Sequence, residues 1–263
     1  MYGLIGPNGA GKTTLMKVLV TLIEPSGGTL WIDGSAVTRS AFEHYRQMIG
    51  YLPQDVGFHA ELTVYQTLDY YGILQKMETK ARKTRIEALL HETSLERHAQ
   101  KRISQLSGGM KRRVGLAQAM IHNPHFLVVD EPTAGLDPEE RIRIRMLLSA
   151  FASTRTILLS THVVEDVAST CDSVLLLDNG ELLFNGQLST LIDDAKGFVY
   201  TRCLANDRDF MIFREQHIVT SVIYTKHGIS VRYIGRQSSP EDAAEEPTVE
   251  DAYLLARNPG LRG

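Results

Sequence analysis

Gly6-Pro7-Asn8-Gly9-Ala10-Gly11-Lys12-Thr13 follows the short apolar run Tyr2–Ile5 and opens a helical pattern. The octet fits G-x-x-x-x-G-K-[ST] between a strand and a helix. Its glycines let the backbone curl so that successive N–H groups point inward. The helix that begins near Lys12 adds the positive end of its dipole. Such a loop holds phosphate. Lys12 reaches the β- and γ-phosphates of a nucleotide, and Thr13 offers a hydroxyl to Mg²⁺.

Outward from this loop, Phe126–Val129 and Thr156–Leu159 are again short runs rich in branched residues, each followed by a loop and a helical pattern. Together with Tyr2–Ile5 they read as buried parallel strands of an α/β core. Thr63 to Thr93 lacks strand signals and carries Leu68, Tyr71 and Leu74 at helical spacing. It reads as an inserted helical subdomain, about 60–123, that closes with the helix starting near Gly108. Asp178-Asn179-Gly180, between Val174–Leu177 and Glu181–Phe184, signals a hairpin. Beyond about Leu191 the pattern changes. Phe198–Leu204, Ile218–Tyr224 and Ile229–Ile234 read as strands, Arg208–Gln216 as a helix, and Gln237–Pro247 as an acidic linker. Thr248 caps a last helix through Arg257. The expected division is a core over 1–191 and a small α+β appendage over 197–257.

Composition narrows the function. Twenty-eight Lys and Arg against 31 Asp and Glu give a net charge of −3 over 263 residues. No basic field for nucleic acid results. No apolar run approaches a bilayer-spanning length and no signal peptide opens the chain. Any action on a membrane therefore needs a partner. Cys171 and Cys203, far apart, read as free buried thiols in a reducing cytosol.

Five further stretches lie along the core: Tyr51-Leu52-Pro53-Gln54, Leu106-Ser107-Gly108-Gly109-Met110, Phe126 to Glu131, Ala134-Gly135-Leu136-Asp137 and Ser160-Thr161-His162. Singly each has a plain structural reading: Ser107 as a helix cap, Asp130-Glu131 as a strand-end turn, His162 as a turn residue. In this order, and with the phosphate loop, they resemble the ATPase subunits of ABC transporters over residues 2 to about 190. The resemblance implies a P-loop NTPase core of ABC type that binds ATP with Mg²⁺. Asp130, with Thr13 and Gln54, would hold the cation. Glu131 would be the general base, with His162 on the γ-phosphate and Gln54 sensing the nucleotide; Lys12 completes the catalytic set. The loop Gly6 to Thr13 and the adjoining Thr14 would bind the nucleotide. Ser107, Gly108 and Gly109 would contact the nucleotide of a second protomer, and Asp137 would lie at that interface. Neither chain alone would hold a complete site, so a homodimer or a paired ATPase subunit is implied.

The wording of Gly108 to Arg113, Thr133 to Pro138 and Pro247 to Tyr253 is similar to the drug- and antibiotic-exporter branch, whose membrane permease is a separate chain. An exporter ATPase peripheral on the inner face of the cell membrane is the expectation, with Val56–Lys76 as the surface facing the permease. An importer ATPase and a soluble regulatory module that uses ATP only to dimerise are the alternatives. Among Tyr65, Tyr70 and Tyr71, at least one is expected in the core. Lys111, Arg112 and Arg113 are expected on a solvated helix face. Members of this family carry antiparallel strands ahead of the phosphate loop and an aromatic residue that stacks on adenine, whereas here the loop begins at residue 6. A misplaced or truncated start is the favoured reading. The antiparallel β subdomain is then incomplete, ATP binding weak, and Gly28–Ile32 and the Val174–Phe184 hairpin are left with unpaired edges.

Overall fold

The computed structural model describes residues 1–32, 34–226 and 228–261. Two compact units emerge: Met1–Leu4 with Gly11–His162, and Ile5–Ala10 with the chain from Val163 onward.

The first unit runs β1 (Tyr2–Ile5), α1 (Lys12–Leu19), β2 (Trp31–Ile32), β3 (Ser35–Ala36), α2 (Phe42–Met48) and β4 (Ile49–Leu52). It continues through α3 (Val64–Leu74), α4 (Thr79–Glu92), α5 (Gly108–Ala119), β5 (Phe126–Asp130), α6 (Pro138–Ala152) and β6 (Thr156–Thr161). Its strands lie in the order β4-β5-β6-β1, and β4, β5 and β6 pair in parallel. Leu127, Val128 and Val129 are consecutive and all fully buried. A strand covered on both faces shows this continuous apolar run instead of alternation. The β5–β6 register sets Asp130 opposite Ser160 at the strand ends, where the polar residues begin.

The helical insertion forms as its composition indicates. Thr63 and Gln66 close a capping box at the start of α3, with Thr63 Oγ1 accepting from the Gln66 N–H and Gln66 Oε1 from the Thr63 N–H. Val64, Leu68, Ile86, Leu89 and Leu116 are buried between α3, α4 and α5. Leu74 is exposed, and so is Tyr70, while Tyr65 and Tyr71 are half-buried. None of the three tyrosines enters the core; the face of α3 that packs is Val64, Thr67, Leu68 and Gly72. The expectation for α5 also changes. Arg112 and Arg113 are buried, because α5 is enclosed on nearly every side from Arg112 through Ala117.

The second unit contains α7 (Val164–Thr170), β7 (Ser173–Asp178), β8 (Glu181–Gln187), α8 (Leu188–Asp193), β9 (Val199–Leu204) and α9 (Asp207–Gln216). Then follow β10 (Ile218–Thr225), β11 (Gly228–Ile234), β12 (Ala243–Ala244) and α10 (Val249–Arg257). The β7–β8 hairpin turns on Asn179 and Gly180, both left-handed at φ 48° and 81°, as a two-residue turn of this hand requires. Leu182 and Leu183 on β8 remain exposed, as does Trp31 in the short β2–β3 pair of the first unit. The remaining strands form an antiparallel sheet, β10-β11-β9-β12. Ile229, Val231 and Tyr233 pack with Phe213 of α9 on one face of it.

Two expectations fail here. Cys171 is buried, and burial pushes its thiol up to about 11, but Cys203 is exposed. Alternation along β9 turns Tyr200, Arg202 and Leu204 toward Phe213 and leaves Cys203 on the other face. The stretch Gln237–Pro247 is not a free linker. Asp242 is buried and accepts from Arg202 Nε and Nη2 at 2.6 and 2.8 Å, and Ala243–Ala244 pair with β9. The acidic composition that reads as solvated contains the partner of a half-buried arginine.

Burial alone would push the Asp242 carboxyl up, but hydrogen bonds from Arg202, Tyr233 and the N–H groups of Ser239 and Ser238 outweigh it and hold the pKa at about 2. The folded value lies below the unfolded one, so this stabilisation is complete above about pH 4 and disappears as the pH falls to 2. It amounts to about 2 kcal/mol. Asp242→Asn should destabilise the chain by about 3 kcal/mol in urea unfolding at pH 7. The gap between wild type and variant should narrow between pH 4 and pH 2. A gap that stays constant over that range would mean that Asp242 is not held ionised by these partners.

Candidate active site

The phosphate-loop glycines take the roles that their spacing indicates. Gly9 and Gly11 are left-handed at φ 84° and 100°. The Ala10 N–H donates to Pro7 O at 3.2 Å, closing the turn. At Gly6 a Cβ would stand 2.1 Å from the Leu177 carbonyl oxygen, so only glycine fits. Asn8 is exposed and Ala10 buried. Gly11 caps α1 without a side chain, which leaves the first N–H groups of the helix directed outward for an anion. Lys12 is buried, Thr13 half-buried and Thr14 exposed. Burial pulls the Lys12 ammonium below the ordinary lysine range, while the charges of Glu131 and Asp130 oppose that shift.

Within the first unit Gln54, Asp130, Glu131 and His162 gather near Lys12 at the strand ends. Asp130 ends β5 and is fully buried, and among the described residues neither its carboxylate oxygens nor the Ser160 hydroxyl opposite have a hydrogen-bond partner. The next residue, Glu131, has a left-handed backbone at φ 46°, and its N–H donates to Ser160 O at 2.9 Å. Its carboxylate is held at both oxygens. His162 Nδ1 lies 3.0 Å from Oε1, and Gln54 Nε2 lies 3.3 Å from Oε2. A carboxylate only accepts, so His162 Nδ1 carries the proton.

Ser107, Gly108, Gly109 and Asp137 stand apart from this group. Ser107 Oγ accepts from the Met110 N–H at 3.2 Å and so caps α5. Asp137 Oδ1 accepts from the Glu140 N–H at 2.9 Å and caps α6. Gly109 is needed because a Cβ there would come within 2.5 Å of the Glu140 carboxylate. Among the described residues none of these four hydrogen-bonds to the Lys12–His162 group. Ser107, Gly108 and Asp137 are exposed at helix starts. Two residues to which the sequence reading gave no role in the site connect the pieces. Arg113 lies 3.4 Å from Glu140 and donates to the carbonyls of Thr93 and Ser94. Arg112 donates to the carbonyls of Pro53, Gln54 and Glu131.

A family model described as ABC transporter matches residues 1–134. The chain belongs to the ABC transporter family. The ABC transporter ATP-binding protein YxlF of Bacillus subtilis is 35% identical over 84% of this chain and 72% of its own length. A Nod factor export ATP-binding protein I from Burkholderia lata is 39% identical over 74% of this chain, which spans 64% of that protein. Among solved structures, an ATP-binding subunit of an ABC transporter superposes with TM-score 0.65 at 32% identity, over 74% of this chain and 81% of that one. A dimeric ATP-binding cassette in a post-hydrolysis state with ADP and Pi superposes with TM-score 0.63 at 26% identity, over 71% and 84%.

ABC ATPases bind ATP, and the residues here suit a divalent cation with it. The orphaned Asp130 oxygens, the Ser160 and Thr13 hydroxyls and the Gln54 amide are hard oxygen donors of the kind that Mg²⁺ takes. No cluster of three His, Cys, Asp or Glu among the described residues would hold a metal by itself. A cation bound here would take part of its coordination from nucleotide phosphates, as Mg²⁺ does in such sites. Asp130→Asn removes a buried charge that lacks a hydrogen-bond partner. The ligand-free variant should be more stable than wild type by about 1 kcal/mol in urea. The added stability that wild type gains from ATP only with Mg²⁺ should be absent from it. A lower midpoint for the ligand-free variant would show that the carboxylate is already satisfied.

Proposed function

We propose that this chain is the ATP-hydrolysing subunit of an ABC exporter, working as a head-to-tail dimer beneath a separate membrane permease. The observation that carries it is the Glu131 carboxylate, held between Gln54 and His162 immediately after the unpaired, buried Asp130. On this reading residues 1–191 form the ATPase domain, with the helical subdomain over about 60–123, and 197–257 an accessory domain.

The chemistry divides among the residues as follows. The N–H groups of the loop Gly6 to Thr13, the start of α1 and Thr14 receive the nucleotide phosphates, and Lys12 supplies positive charge to the β- and γ-phosphates. Thr13, Gln54 and Asp130 would hold Mg²⁺, which when bound neutralises charge on the phosphate oxygens. Glu131 accepts a proton from the water that attacks the γ-phosphorus, and the bond to the ADP oxygen breaks in line, leaving ADP and phosphate. His162 orients that water and the γ-phosphate. Ser107 and Gly108, exposed at the start of α5, and the adjoining buried Gly109 face the nucleotide of the partner chain, and Asp137 lies at the shared interface. The relative solved as a dimer with ADP and Pi supports both the dimer and the hydrolysis.

The Nod factor export proteins among the relatives support export. A further relative, cbiO1 of Clostridium perfringens, is described as part of a transporter complex, cbiONQ, which supports a separate permease. No helix among the described residues is long and apolar enough to cross a membrane. A groove of about 350 Å³ in the first unit, lined by Pro53, Val56, Gly57, Tyr71 and Gln75 among others, supports a permease contact there. Placement at the inner face of the cell membrane follows from that contact.

The test is complementation between two variants. Ser107→Arg and Lys12→Ala should each lower phosphate release at least about 100-fold alone. In a mixed dimer one site has an intact phosphate loop from the first chain and an intact Ser107 from the second. Mixing the two proteins should therefore restore turnover above the sum of the parts. A purified mixed dimer that binds no nucleotide at either site would contradict a shared site.

A further inference from the structure

Arg112, expected from the sequence on a solvated helix face, touches both catalytic loops. Its side chain reaches inward from the second turn of α5, and the residue is only 8% exposed. Nη1 donates to Pro53 O at 2.9 Å and to Gln54 O at 2.7 Å; Nη2 donates to Glu131 O at 2.8 Å. Three carbonyls on two separate loops thus share one planar group. Among the described residues no carboxylate hydrogen-bonds to it, so the contact is a geometric clamp and not an ion pair.

What the clamp holds is strained. Glu131 is a non-glycine residue at φ 46°, a conformation that costs about 1–2 kcal/mol and persists only where its surroundings fix it. Its carbonyl bond to Arg112 opposes relaxation of that peptide. The same guanidinium fixes the Gln54 backbone, and the Gln54 and Glu131 side chains meet at 3.3 Å. Arg112 also stands three residues after Gly109, on the helix whose start carries Ser107.

We propose that Arg112 is a positioning residue for hydrolysis: from α5 it sets the Glu131 carboxylate and the Gln54 amide in register with each other. This rests on Glu131 being the base, as read above. Arg112 acts through those two residues, by way of their backbone carbonyls. Because α5 begins with the residues that face the partner's nucleotide, the clamp also ties each chain's reach across the dimer to the readiness of its own base.

Arg112→Lys keeps the charge and loses the planar fork. Phosphate release and binding of a fluorescent ATP analogue are measured on the full chain for wild type, Arg112→Lys, Glu131→Gln and the double variant, with melting curves for each. Arg112→Gln, which keeps a planar pair of donors, replaces Arg112→Lys if that protein shows no cooperative melt. The single Arg112 variant should lose at least about tenfold in kcat while KM and nucleotide affinity move less than about threefold, since displacement of a catalytic group acts on the chemical step. In the Glu131→Gln background the same change should lower residual turnover less than about twofold, because both changes act on one unit. Wild-type kcat in the Arg112 variant, or losses that multiply in the double variant, would overturn the clamp while leaving the base in place. Wild-type turnover in Glu131→Gln alone would instead remove the base, and the clamp with it.

Discussion

A single carboxylate, that of Glu131, is held at both oxygens while its own backbone sits in a left-handed conformation at the end of a buried strand. The rest of the first unit serves that arrangement. The continuous apolar run of β5 carries the chain straight to the sheet edge, and β6 alongside provides the Ser160 carbonyl that receives the Glu131 N–H. From one side α5 supplies Arg112; the loop after β4 supplies Gln54; the residue after β6 supplies His162. Strain of this kind is retained where neighbours over-determine it. Here four hydrogen-bonding groups from four segments do so.

Next to it the protein accepts the opposite situation. Asp130 is buried, and among the described residues no donor reaches either oxygen; an unsatisfied buried acceptor costs stability. Lys12 nearby carries opposite charge but is itself depressed by burial. A site left short of partners in the empty protein gains most when phosphate and cation arrive, which links nucleotide binding to folding stability. The second unit resolves the same problem internally. Asp242 collects Arg202 and two backbone N–H groups, and Asp251 collects Arg232 and the Thr248 cap. Among the described residues of that unit no buried carboxylate oxygen is left without a hydrogen-bond partner.

The legible parts of the fold were those whose cause is local. The strand before the phosphate loop, β5 and β6, the Asn179-Gly180 turn and the Thr248 cap each follow from a few adjacent residues. The gathering of Lys12, Gln54, Asp130, Glu131 and His162 was legible only through the family resemblance, since nothing in the spacing from 12 to 162 dictates contact. What escaped was set by distant partners. Asp242 looked solvated until Arg202, 40 positions earlier, was placed over it. Arg112 and Arg113 looked like a charged surface because a basic run gives no sign of the carbonyls that wait for it on other loops. Only the unbroken small and apolar run from Val114 to Ala117 hinted that α5 was enclosed.

If Glu131 is the base at a shared site, removing its charge should separate binding from chemistry. The most direct measurement follows the Glu131→Gln chain in ATP and Mg²⁺ by size exclusion, with bound nucleotide analysed in the eluted peak. The expected result is a stable dimer that retains uncleaved ATP, with turnover reduced about 100-fold or more. A Glu131→Gln chain that elutes as a monomer with ADP, turning over like wild type, would contradict it.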